Sequence, residues 1–187
     1  VASEIDIVNR ALQRLGAQRI QSLDQDHPNA RSAAAAYPLV RDRLLRSYPW
    51  GFAIRRVLLP ALSERTTFGD LYRYPLPSDF LRLLPPEGTN KRDWRIEGPE
   101  IVTADGPPLA VRYVARVTDA TQFDAAFAEA LSSLLAVELA YEINQSSGVV
   151  QLAQAAYAQA ITEAKRVGAF ETPPQEFPED DWIVAML

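Results

Sequence analysis

Carboxylates and one imidazole are the first candidates for acid–base chemistry in this sequence. The 187 residues include a single histidine, His27, and no cysteine. An imidazole titrates near neutral pH and can serve as acid or base. His27 has no partner at a helical or strand spacing, so its plainer reading is a solvated turn residue before Pro28. Paired carboxylates can cleave a glycosidic bond, one protonating the leaving oxygen while the other acts on the opposite side. Glu97 with Glu100, or Glu129 with Glu138 and Glu142, would be the candidates. A chain with 24 acids contains such pairs without any function attached, and the second set is spaced partly as one wet helix face. No catalytic residue, metal-ligand set or cofactor is therefore assigned. One histidine excludes multi-histidine zinc sites. No Ser-His-Asp pattern or glycine-rich phosphate loop stands out.

The arginines pose a different question. Of 19 basic residues 17 are Arg, and residues 1–60 hold nine of them against five acids. The balance is even over 61–118 and negative beyond, with two bases against six acids in 119–170 and five acids alone in 171–187. The net charge of −5 argues against general affinity for nucleic acid or anionic lipid. A basic edge at Arg41, Arg43 and Arg46, with Arg10 and Arg14 four apart on the first helix, would instead complement the acidic last third of another copy, or orient a second protein partner. A head-to-tail contact between copies closes a ring if the rotation suits. The plain alternative is a solvated surface laced with weak local ion pairs.

These side chains must be positioned by a framework, and the apolar spacing outlines one. Ser3, with Asp6 three residues on, predicts a capped helix carrying Ile5, Val8, Leu12 and Leu15, with Gly16 as its stop. The start reads as this amphipathic helix and not as a secretory signal. A second helix opens near Pro28 and carries Ala30, Ala33, Tyr37, Val40, Leu44 and Tyr48 on one face, with Pro38 expected to kink it. Pro49 should end it, leaving Trp50 and Phe52 to plug the passage from helices to strands. From Phe52 to Val117 the runs are short and broken by Pro and Gly, as in a small antiparallel β insert with a hairpin at Gly98-Pro99. Thr121 and Asp124 form a capping pair for a helix to about Asn144, apolar on more than one face. An alanine-rich helix over about 149–167 follows.

The fold class is thus α+β: an antiparallel bundle of two N-terminal and two C-terminal long helices, a small antiparallel β insert and an extended C-terminal tail. The domains are 1–51 with 119–169, 52–118, and 170–187. No stretch is long and apolar enough to span a membrane, because Glu129, Glu138 and Glu142 interrupt the best candidate. The tail sets Glu179, Asp180 and Asp181 before Trp182, Ile183, Val184, Met186 and Leu187. These apolar groups invite burial, and a docking segment anchored by Trp182, with Phe177, Ile183 and Val184, is the expectation. Folding back on its own bundle is the alternative.

Four stretches in order resemble the head-to-tail adaptor, or tail tubular protein A, family of short-tailed bacteriophages: "EIDIVNRALQRLGAQRIQSL" at 4–23, "AAYPLVRDRLLRSYPWGFA" at 35–53, "YRYPLPSDFLRLL" at 72–84 and "VRYVARVTDATQFDAAFAEALSSLLAVELAYEIN" at 111–144. The resemblance spans nearly the whole chain, though no single motif is diagnostic. It implies a non-enzymatic structural protein of the virion, forming a twelvefold ring of identical copies at the head–tail connection. Its partners would be the portal protein and a tail nozzle protein of the tail tubular protein B kind, with DNA passing through the lumen unbound. The basic edge at Arg41, Arg43 and Arg46 would then orient neighbouring copies or the portal. A virion-carried peptidoglycan hydrolase and a helical module that binds a host protein are the rival readings.

Overall fold

The computed structural model describes residues 2–69, 71–85 and 94–171. The chain divides into two compact units: a helical one, built from the described residues up to Ala53 and from Arg116 onward, and a β unit, Ile54–Ala115.

In the helical unit α1 (Glu4–Arg14) begins with a full capping box. Asp6 N–H donates to Ser3 Oγ at 3.1 Å, and Ser3 N–H donates to the Asp6 carboxylate at 3.0 Å. Ser3 Oγ–H also donates to the Asp6 carboxylate, at 2.7 Å, and this bond first, then the one from Ser3 N–H, holds the Asp6 carboxyl below the usual carboxylate range. Gly16, at φ +66°, turns the chain out of the helix. Three asparagines then tie the return segment down. Asn9 exchanges two hydrogen bonds with the backbone of Ile20, at 2.9 and 2.8 Å. Asn29 donates to the Gln18 carbonyl, and Asn144 to that of Leu15.

Helix α2 (Pro28–Ser47) runs unbroken through Pro38. Its N-cap is His27, whose Nδ1 accepts from Asn29 N–H at 3.1 Å, so the imidazole does the work of a capping carboxylate. Helix α3 (Ala125–Asn144) buries eleven of its residues. Its N-cap is Asp124 alone, accepting from Phe127 N–H. Thr121 belongs instead to a short 3-10 turn, Ala120–Gln122, capped by Asp119. Buried Ser132 and Ser133 are satisfied by donating to the Glu129 carbonyl, each at 2.9 Å. Helix α4 (Ser147–Glu171) is longer than its spacing predicts, and only Ala164 among its described side chains is fully buried.

The chain is α+β, but the expected antiparallel bundle of four long helices is not what forms. Helix α3 is a hub that α1, α2 and α4 each pack against, while α1 meets α2 only marginally. The reason is local: Gly16 and the Asn9 clamp stop α1 after 11 residues, and α4, of whose described side chains only Ala164 is fully buried, packs chiefly on α3. The single small insert is likewise corrected to two three-stranded antiparallel sheets. Of the extended tail expected from residue 170 onward, Phe170 and Glu171 still belong to α4, and the rest lies outside the described residues.

The β unit contains β1 (Ile54–Leu59), β2 (Tyr72–Pro75), β3 (Phe80–Leu83), β4 (Trp94–Glu97), β5 (Glu100–Thr103) and β6 (Leu109–Ala115). One sheet runs β1-β6-β3 and the other β2-β5-β4. Ile54 faces Val114 and Leu59 faces Leu109 across β1 and β6, and β3 carries a register shift between Phe80 and Arg82. Gly98, at φ +58°, forms the β4–β5 turn with Pro99. Leu59, Tyr74, Leu83, Ile101, Leu109 and Tyr113 form the shared core of both sheets. Tyr74 donates its hydroxyl to the Asp105 carbonyl at 2.6 Å, and Tyr113 to Asp79 at 2.9 Å. Burial first, then the Asp79 contact, pushes the Tyr113 phenol up to about 12.

Candidate functional site

The end of α2 shows what the Pro49-Trp50 stop accomplishes. Tyr48 leaves the helix with extended dihedrals, as a residue before proline must. The last carbonyls of a helix lack internal partners. Here the Leu44 carbonyl accepts from Ser47 Oγ at 2.7 Å and from Trp50 Nε1 at 3.0 Å. Trp50, only 2% exposed, lies edge-on to Tyr48 and to Phe127 of α3, both with centroids 5.0 Å away. Phe52 stacks edge-on against Phe127 and tilts against Phe123. Trp50 and Phe52 therefore pack the end of α2 against α3 within the helical unit, through aromatic contacts each contributing about 0.5–1.5 kcal/mol beyond burial.

The arginines expected at an intermolecular edge find carboxylates inside the same chain. Arg41 is buried, and its Nε and Nη2 both donate to Asp42 Oδ1, at 2.9 and 2.8 Å. Arg116 takes the other oxygen of Asp42 at 2.6 Å. Arg43 pairs with Glu138 of α3 at 3.0 Å, both partners about half exposed. Arg46 is exposed in the last turn of α2. Arg10 and Arg14 converge on one carboxylate, Glu129. The expectation set these arginines against the acidic last third of another copy; in the structure Arg10, Arg14 and Arg43 meet Glu129 and Glu138 of the chain's own α3. Exposed pairs of this kind add up to about 1 kcal/mol each.

The carboxylates weighed for catalysis are occupied in the same way. Glu100 receives Arg73 Nε and Nη2 at 2.7 and 2.9 Å across β2 and β5, and Glu97 lies opposite it at the hairpin mouth. Glu142 accepts from Ser32 Oγ. Among the described residues no three metal-ligating side chains stand together, and no described helix is long and apolar enough to cross a membrane.

Large apolar side chains at the surface are what sequence spacing missed. Leu39 on α2 is 74% exposed and Leu152 on α4 is 73% exposed, with Tyr141 on α3 and Phe170 on α4 also outward. From Ser147 to Thr162 helix α4 carries no charge at all. That run of Ala, Gln and Val, on a helix whose inner face is satisfied by small residues, was the available signal. Beside Leu152 a groove of about 450 Å³ opens between the end of α1, the middle of α3 and the first half of α4. A second groove, of about 660 Å³, lies on the β unit beside exposed Phe68 and the Arg73–Glu100 pair. Phe177, Trp182, Ile183 and Val184, the expected docking anchors, lie outside the described residues. Neither known protein families nor curated proteins give a match to this chain.

Proposed function

We propose that this chain is a structural, non-enzymatic subunit that acts by assembling with copies of itself, as a head-to-tail adaptor of a short-tailed phage ring. One observation supports self-association most: three helices of one compact unit leave Leu39, Tyr141, Leu152 and Phe170 facing outward. Surfaces that keep large apolar groups and shed charge are the kind that interfaces cover. The adaptor identity rests on the sequence resemblance. Its four stretches fall on α1 with its clamped return, on the Trp50 cluster at the end of α2, on β2 and β3, and on β6 through α3. The ring would join the portal to the tail nozzle, repeat the chain's negative charge around its axis, and leave DNA unbound in the lumen.

Negative-stain imaging of the purified chain, alone and mixed with the portal protein of the same virion, tests this reading. It predicts closed rings seated on the portal. A zymogram against purified cell wall separates the hydrolase rival, since an adaptor leaves no clearing.

A further inference from the structure

Resting on the reading of the chain as a self-assembling subunit, we infer that the groove beside Leu152 is the receptor for the acidic, tryptophan-bearing segment 179–187 of a second copy. The groove is lined by Leu15, Ala136, Val149, Leu152 and Ala153, with Arg14 at its lip. Arg10 and Arg14 share Glu129, so two guanidinium groups face one carboxylate and a positive charge is left over at that lip. A fitting ligand therefore carries negative charge next to large apolar side chains. Segment 179–187, "EDDWIVAML", has that order: three carboxylates, then Trp182, Ile183, Val184, Met186 and Leu187. The other long stretch outside the described residues, 86–93, is "PEGTNKRD" and offers no large apolar group.

A second copy is favoured by where the chain leaves the unit. The groove lies along the first half of α4, and the segment departs from the other end of that helix. Leu152 and Glu171 are 19 residues apart on α4, about 28 Å at 1.5 Å per residue. Reaching its own groove would require the chain to reverse at once, whereas Pro173, Pro174 and Pro178 bias that sequence toward extended conformations. A unit that receives at one end of a helix and donates from the other makes heterologous contacts, which close into a ring where the rotation between copies suits.

The chain has no cysteine, so engineered ones report contacts cleanly. Full-length Leu152→Cys and Val184→Cys variants are mixed under mild oxidation, with a Leu39→Cys plus Val184→Cys mixture as control. The expected result is a covalent heterodimer yield at least fivefold above the control, cut by half or more when Asp180 and Asp181 are changed to Lys. Equal yields in both mixtures overturn the inference. So does a Leu152→Cys/Val184→Cys double variant that closes within single chains at every concentration, which assigns the groove to the chain's own segment. Wild-type rings that form while the cross-link fails remove only the groove inference. A wild-type chain that stays single with its portal present removes the adaptor reading as well.

Discussion

Asn9 does for the helical unit what a strand partner does in a sheet: its amide offers a donor and an acceptor to the backbone of Ile20. Asn9→Ala leaves both Ile20 groups without that partner in a half-buried site. A loss of about 1–3 kcal/mol follows, read from the denaturant midpoint. Trp50→Ala removes the donor to Leu44 and opens a hole against Tyr48 and Phe127; the expected cost is about 3–5 kcal/mol. Trp182→Ala should leave the melting temperature of the isolated chain unchanged while weakening assembly, because Trp182 is assigned to a contact between copies. At this scale the sequence was legible wherever a residue's role is local. Ser3, Asp6 and Gly16 act through neighbours three residues away or less, and their types announce them. His27 stands in a partly exposed turn as expected, and its capping of α2 is an added role that its place just before a first-turn proline could have signalled. Asn9 and Asn144 act over 11 and 129 residues, beyond any local pattern.

Elements follow the same division between local and remote causes. Pro38 sits inside an unbroken α2 on its exposed side, where it removes one backbone donor. Pro38→Ala should raise stability by about 1–3 kcal/mol, measured by chemical denaturation, since alanine restores that bond and is the better helix former. In the β unit, Tyr113 keeps its proton to higher pH when folded than when unfolded. Its contribution is fully present below pH ~10, the usual tyrosine value, and is lost as pH rises toward about 12. Tyr113→Phe should flatten that alkaline decline in a pH series of melting temperatures. The positions of helices and strands were readable from apolar periodicity, as in α3, whose two apolar faces foretold its central place. Which elements touch was not. Alanine-rich α4 shows the same spacing as a core helix, yet it buries one described side chain because alanine brings too little surface to draw more than one neighbour. The division of the insert into two sheets depends on the β2–β5 and β1–β6 registers, pairings between strands 28 to 55 residues apart that no local turn sets.

At the scale of the whole molecule, the proposed assembly rests on large apolar side chains that three helices present to the outside. The charge pattern alone pointed to contacts between copies, but the structure places Arg43 with Glu138 and Arg10 and Arg14 with Glu129 inside one chain. Assembly resting on apolar faces should therefore survive salt at concentrations that screen exposed ion pairs, apart from the share contributed by Asp180 and Asp181. Sedimentation equilibrium of the wild-type chain, alone and with its portal protein, is the most direct measurement. The expected result is a mass that rises with concentration to a closed multiple of the subunit and a stable complex once portal is added. A single 20.8 kDa species throughout, with and without portal, would contradict it.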